Sequence, residues 1–118
     1  MEYVDGFIVP VPKKNVQVYR RFSQKAGKIW MEYGALAYRE CVADDVKPGK
    51  VTSFPQSVKL KPSEVVVFSY IVYKSRRHRD QVNKKVMADP RIAAMGPDNM
   101  PFDGKRMIYG GFKTFVDM

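Results

Sequence analysis

The chain has 118 residues, a size that fits one domain with one hydrophobic core. Apolar residues make up 45% and charged residues 28%, which excludes a disordered chain, and no apolar run reaches the roughly 18 residues of a membrane-spanning helix. The net charge of +9 favours anionic partners, or else only keeps a small protein soluble, because the basic residues are dispersed among acidic ones.

The first half of the chain predicts a strand, a helix and a second strand. Residues 3–9 are rich in β-branched and aromatic side chains, and Pro10 and Pro12 are expected to end this strand. Apolar residues three or four apart predict a helix over about 13–33, with Gly34 as its end. A second strand is expected over 36–43. The polar stretch 44–63 exceeds the usual connection length, which indicates a functional flap or a loosely ordered loop.

The second half predicts a strand, a helix and a last strand. Residues 64–73 form the strongest strand pattern in the chain. Ser75 is a good N-cap for a helix reaching about residue 88, where Asp89-Pro90 ends it. An irregular stretch over 91–103 leads into a strand over about 105–116. Gly110-Gly111 within that strand predicts a bulge or a sharp bend.

The resulting order β-α-β-β-α-β predicts a ferredoxin-like α+β domain over 1–118, with a four-stranded antiparallel sheet and two helices on one face. The strands are apolar on both faces: in the third, Val65, Val67 and Ile71 alternate with residues such as Phe68 and Tyr70. Helices cover only one face of such a sheet. We therefore expect a homodimer, in which the same sheet of a second copy covers the other face.

The N-terminal residues and the cysteine content predict a cytoplasmic protein. Residues 1–5 include two acids and lack the basic-then-apolar layout of a signal peptide. Cys41 is the single cysteine, which excludes a disulfide within the chain and fits a reducing compartment.

Long segments of the chain carry a family resemblance. They are Tyr3-Val4-Asp5-Gly6-Phe7, Pro10-Val11-Pro12, Tyr38-Arg39-Glu40-Cys41-Val42-Ala43-Asp44-Asp45, Pro48-Gly49-Lys50-Val51-Thr52-Ser53-Phe54-Pro55, Val72-Tyr73-Lys74-Ser75-Arg76, Val86-Met87-Ala88-Asp89-Pro90 and Met100-Pro101-Phe102-Asp103-Gly104-Lys105-Arg106-Met107. With these segments the chain resembles the YbaA-like bacterial family, a domain of unknown function. The resemblance implies a dimeric α/β barrel, in which two ferredoxin-like sheets face each other. Relatives with that barrel include small monooxygenases and haem-degrading enzymes, but the family itself supplies no reaction and no catalytic residue.

The topology gathers the start of the first helix, the loop 44–63 and the connection 89–104 at one end of the sheet, where we expect the mouth of any pocket between helices and sheet. The candidate catalytic residues are His78, Tyr70 and Tyr109, and the candidate ligand-binding residues are Trp30, Tyr33 and His78. Ordinary core and boundary positions would explain the same residues. Because the chain has one histidine and no phosphate-loop, zinc or dinucleotide motif, no metal and no cofactor is predicted.

Four basic residues surround the start of the second long helix: Lys74, Arg76, Arg77 and Arg79. Cations at a helix N-terminus oppose the helix dipole. Either these residues form an exposed, solvated face, or an anion binds there to free N–H groups and guanidinium groups together.

Three functions remain open from the sequence, of which the third is an interaction protein without a ligand site, and whether the protein is an enzyme is open as well. The first is a small barrel protein that binds or transforms a small molecule, oxygenase-like by analogy of fold alone. The alternative is an RNA- or polyanion-binding protein that uses its basic surface. It is less favoured because the sheet aromatics that could stack on bases are expected in the dimer interface.

Overall fold

Four strands and two long helices form a ferredoxin-like α+β fold. The computed structural model describes residues 1–96 and 100–118. Residues 97–99, inside the irregular stretch predicted over 91–103, lie outside the described residues. The elements are β1 (Tyr3–Pro12), a 3-10 turn (Lys13–Asn15), α1 (Val16–Glu32), β2 (Ala37–Val42), α2 (Phe54–Ser57), β3 (Glu64–Tyr73), α3 (Arg76–Met87), α4 (Pro90–Ala93) and β4 (Ile108–Lys113).

The sheet has the strand order β2-β3-β1-β4, and all its neighbouring strands are antiparallel. Alternate residues of β1 and β3, such as Val9, Val67 and Ile71, are buried beneath α1 and α3 in the apolar core. We call this side the helix-covered face and the opposite side the open face. The predicted fold class is confirmed.

The prediction that the prolines end the first strand was wrong. β1 continues through Pro10 and Pro12, which lie opposite Val66 and Glu64 of β3. On its other side β1 pairs with β4 only as far as Ile8. Alternate residues of a strand direct their N–H groups to opposite edges. Pro10 and Pro12 lack an N–H on the edge of β1 that faces β4, and β4 does not extend that far, so no hydrogen bond of the sheet is lost.

The predicted bulge at Gly110-Gly111 was also wrong, because the pairing of β4 with β1 is unbroken across both glycines. Gly111 lies opposite Asp5, beside the ring of Tyr3. A Cβ atom at position 111 would lie 2.7 Å from Cε2 of Tyr3. The glycine therefore permits a close approach of strand and ring rather than a bend.

The stretch 44–63 is partly structured and packs on the open face. Ser53 caps α2 by accepting a hydrogen bond from the N–H of Gln56, and Phe54 contacts Phe68 of β3 edge to face. Val58 is 1% exposed. No residue of this stretch lines the cavity between helices and sheet described below, so the predicted flap does not cover that cavity.

Asp89 and Pro90 do more than end α3. The carboxylate of Asp89 accepts a hydrogen bond from the N–H of Arg91 and thereby caps the short helix α4, which the sequence did not predict. The connection 89–104 nevertheless reaches the expected end of the sheet, where the side-chain amide of Asn15 donates to the carbonyl of Pro101.

The open face remains apolar and exposed in the single chain. Phe68, Ile108 and Phe112 are 43%, 45% and 63% exposed, and all three lie on this face by strand register. The two-sided apolar pattern of the strands is therefore a property of the folded sheet.

Candidate functional site

A cavity of about 590 Å³ lies between the helices and the helix-covered face of the sheet. Its walls are mainly apolar and come from the sheet, from α1, from α3 and from the connection into β4. They include Phe7, Val9, Phe22, Ala26, Trp30, Ile71, Met87, Ile92, Met95, Met100, Phe102, Met107 and Tyr109. We call this space the helix–sheet cavity. Its volume falls within the usual range of small-molecule sites.

A second space of about 660 Å³ runs between α1 and the edge strand β2, and we call it the α1–β2 groove. Groove and cavity share four lining residues: Tyr19, Ser23, Tyr38 and Glu40. These residues therefore stand between the two spaces.

The carboxylate of Glu40 is held by two tyrosine hydroxyls. Tyr19 of α1 donates to Oε1 at 2.7 Å, and Tyr38, two residues before Glu40 on the same face of β2, donates to Oε2 at 2.9 Å. Burial, and then the charge of Glu40, raise the pKa of both tyrosines well above the ordinary value. Both hydroxyls therefore stay protonated and keep the carboxylate in one orientation.

The fully buried carboxylates in the described part of the chain have an arginine partner, whereas Glu40 is half-buried. Asp5 accepts from Arg79 at 2.8 Å, Glu64 binds Arg106, and Asp89 binds Arg91. Glu40 has no lysine, arginine or histidine nitrogen within 4.0 Å among the described residues. It is thus a carboxylate with neutral donors on the wall of an apolar cavity.

Further polar groups of the helix–sheet cavity are paired within the protein. The amide oxygen of Asn83 accepts from the indole N–H of Trp30 at 3.0 Å and from the hydroxyl of Tyr73 at 3.2 Å. The guanidinium of Arg79 lies 5.0 Å from the ring centre of Tyr3 while it binds Asp5. These contacts fix the position of Trp30 and Arg79 at the wall.

Comparison with known proteins places the chain in a family. Residues 2–104 match the family model described as "Protein of unknown function (DUF1428)". The chain belongs to this family. It is 51% identical over 117 residues to "Uncharacterized protein YbaA" of Escherichia coli (strain K12), covering 99% of both chains, and has the same identity to the YbaA protein of Shigella flexneri. The resemblance seen in the sequence is confirmed.

A solved structure supports the fold of this DUF1428 family member. The crystal structure of an uncharacterized NIPSNAP domain protein from Burkholderia xenovorans superposes with a TM-score of 0.65 at 18% identity. The match covers 98% of this chain and 99% of the other. At this identity the likeness concerns the fold alone.

The structure brings some of the predicted site residues to the helix–sheet cavity. Trp30, Tyr70 and Tyr109 line it, although the side chain of Tyr70 lies on the open face, where its hydroxyl accepts from Arg39. Tyr33 lies outside the lining and donates to Asp89 at 2.7 Å. Ligand-binding and catalytic roles for these residues stay predictions.

His78 also lies outside the cavity lining. Its Nδ1 accepts from the N–H of Lys74 at 2.9 Å, and its own N–H donates to the hydroxyl of Ser75 at 3.1 Å. The imidazole packs edge to face on Tyr73. His78 thus takes part in the cap of α3.

The predicted anion-binding cluster is divided by the fold. Arg79 turns inward to Asp5 and also pairs with Asp80, and it is one of the cavity-lining residues. Lys74, Arg76 and Arg77 are exposed. An anion at this helix start would therefore meet these three side chains without Arg79.

The sequence did not single out the Tyr19, Tyr38 and Glu40 cluster. Glu40 and Cys41 point to opposite faces as expected, and Cys41 is exposed on the open face. The missed signal was the spacing of Tyr38 and Glu40, because residues two apart on a strand share a face. Only the position of α1 over β2 adds Tyr19.

In the described ranges 1–96 and 100–118, no three histidine, cysteine or acidic residues are grouped so that they could hold a metal ion. Within the same ranges, no helix has both the length and the apolar character needed to cross a membrane.

Proposed function

We propose that this protein binds a small, mainly apolar molecule in the helix–sheet cavity. The observation that supports the proposal is the cavity itself: about 590 Å³ of space with apolar walls and a few fixed polar groups. This composition is typical of ligand sites, in which apolar surface gives affinity and a few polar groups set orientation. Several walls are methionines, whose flexible side chains adapt to a ligand.

The proposal is limited to binding. Oxygenase-like chemistry is supported by analogy of fold alone, and one fold hosts many reactions.

A neutral fluorescent probe tests the proposal. Trp30 is the single tryptophan and lines the cavity, so energy transfer from it to N-phenyl-1-naphthylamine reports a probe bound there. We expect saturable binding to the wild type. Ala26→Leu adds apolar volume to the cavity wall and is expected to abolish the signal, whereas Lys25→Leu adds the same side chain at an exposed position of α1 and is expected to keep it. No binding to the wild type, or equal binding to folded Ala26→Leu protein, would overturn the proposal.

The homodimer is part of the proposal. The open face carries exposed apolar side chains on β3 and β4, and a second copy of the sheet would bury them. Phe112→Lys is expected to give a monomer in sedimentation analysis. The wild type and Val18→Lys, which changes an exposed apolar residue of α1, are expected to sediment as dimers. A monomeric wild type would contradict this arrangement.

The polyanion-binding alternative is supported by the net charge of +9 and by the exposed Lys74, Arg76 and Arg77. Binding to RNA that persists above about 0.2 M salt would support it. Loss of binding below that concentration would leave only generic charge attraction.

A further inference from the structure

We propose that the helix–sheet cavity selects an organic cation, an ammonium group carried on an apolar body, and that Glu40 is the group that binds the ammonium. The inference rests on the proposed function, because it names the class of ligand for the same cavity.

The charges around the cavity leave one carboxylate uncompensated. Four residues with charged side chains line it: Asp5, Arg39, Glu40 and Arg79. Asp5 and Arg79 form an ion pair at 2.8 Å, and the side chain of Arg39 lies on the open face, where it donates to Tyr70. Glu40 has no ion pair in the part of the chain that the structure describes. A partly buried anion without a cation is costly. A cationic ligand would supply the missing charge.

Surface cations do not take that place. Arg20 and Lys28 line the α1–β2 groove on the other side of Glu40, and both are exposed. Neither approaches the carboxylate within ion-pair distance. Solvent and salt screen exposed charges strongly, so these residues compensate the carboxylate only weakly.

The carboxylate of Glu40 retains hydrogen-bond acceptors for a ligand. Each carboxylate oxygen accepts one tyrosine hydrogen bond and has about one more lone pair to offer. An ammonium has donors only, so it can use both remaining acceptors. Neither tyrosine hydroxyl has a hydrogen left to donate to the ligand, because each directs its single hydroxyl hydrogen to Glu40.

Aromatic rings near Glu40 suit the same ligand. Tyr38 packs against Trp30 at 6.1 Å between ring centres, and Tyr19 packs edge to face on Phe102 at 5.6 Å. All four rings line the cavity. Aromatic faces attract organic cations and also bury the apolar body that carries them.

Three probes with the same cage and different charge test the inference: 1-adamantylmethylammonium, 1-adamantylmethanol and 1-adamantanecarboxylate. None of them fluoresces, so quenching or shift of the Trp30 emission reports their binding. At neutral pH we expect the ammonium to bind about tenfold or more tightly than the alcohol, because a charge-assisted hydrogen bond adds to the shared apolar contact. The carboxylate is expected to bind weakest.

Glu40→Gln keeps the shape of the side chain and removes its charge. We expect the ammonium to lose its advantage, so that ammonium and alcohol bind within about twofold of each other, while the alcohol binds as in the wild type. Glu2→Gln makes the same change at an exposed position and is expected to keep the tenfold preference.

The outcomes separate this inference from the proposed function. Equal or tighter binding of the alcohol or carboxylate to the wild type overturns the cation inference, as does a preference that Glu40→Gln leaves unchanged. If the neutral naphthylamine binds and none of the adamantyl probes does, the cation inference fails and the cavity proposal stands. If no probe of any charge binds, both fail.

Discussion

Gly27 offers a sharp test of how α1 fits against the sheet. It is buried in α1, and a Cβ atom there would lie 2.7 Å from Cδ1 and Cε1 of Tyr38. Since carbon atoms pack at roughly 3.5–4.0 Å, the ring would have to move by about 1 Å. That movement would also disturb the hydrogen bond of Tyr38 to Glu40.

Two effects of Gly27→Ala oppose each other. Alanine in a helix interior is favoured over glycine by about 1 kcal/mol. Overpacking a buried contact costs about 1–3 kcal/mol. Because the ring of Tyr38 is packed against Trp30, we expect the clash to prevail, with a net loss of about 1 kcal/mol in the free energy of unfolding.

A double-mutant cycle with Tyr38→Ala measures the clash directly. Without the ring, Gly27→Ala is expected to stabilise the protein by about 1 kcal/mol, so the sign of its effect reverses. Urea denaturation of the wild type, the two single variants and the double variant supplies the free energies of unfolding, provided that their dependence on urea concentration has the same slope in all four. If Gly27→Ala stabilises the protein in the presence of Tyr38, the packing described for this contact is incorrect.

Three further predictions concern charge and packing. Hydrogen bonds from Arg106 hold the pKa of Glu64 below its usual range. The pair therefore stabilises the fold above the pKa of a free glutamate, about 4.3, and this stability is lost as the pH falls through the lowered pKa of the folded protein. As the pH is lowered, the melting temperature of the wild type should fall more steeply than that of Glu64→Gln. An equal fall in both proteins would contradict a stabilising ion pair between Glu64 and Arg106. Val58→Ala should lower the free energy of unfolding by about 2 kcal/mol and speed tryptic cleavage within 44–63. Val51→Ala, at a position 94% exposed, should change neither the stability nor the cleavage rate. Glu40→Gln should lower the raised pKa of Tyr19 and Tyr38, so that ultraviolet absorbance titration shows tyrosine ionisation at lower pH than in Glu2→Gln protein.

The parts of the fold that the sequence predicted well depend on local patterns. The run of β-branched and aromatic residues in 64–73 is β3, with the predicted bounds. Ser75 caps α3 as expected, because an N-cap needs only a side-chain oxygen three residues before its donor. These features are encoded within a few residues.

Other features depend on residues far away in the chain. Pro10 and Pro12 fit within β1 because β4 is short, and Gly111 is required by the ring of Tyr3. Val58 is buried although its surroundings in the sequence are polar. A local pattern carries no information about such partners.

The candidate site could be predicted in part. The topology predicts the end of the sheet at which the connection 89–104 arrives. The ligand-binding candidate Trp30 and the catalytic candidate Tyr109 both line the cavity, while their roles stay predictions. The pairing of Glu40 with Tyr19 could not be predicted, since it depends on the rotation of α1 over β2. A carboxylate on a strand gives no sign in sequence of whether a cation accompanies it.

Native mass spectrometry with the small molecules of the protein's own cells tests the central claim most directly. Purified wild type, Lys25→Leu and Ala26→Leu proteins are each equilibrated with a small-molecule extract of those cells, and the mass of each native protein is then measured. If the helix–sheet cavity binds a ligand, we expect one reproducible small adduct on the wild type and on Lys25→Leu, and no such adduct on folded Ala26→Leu. A wild type without an adduct, or the same adduct on all three proteins, would contradict it.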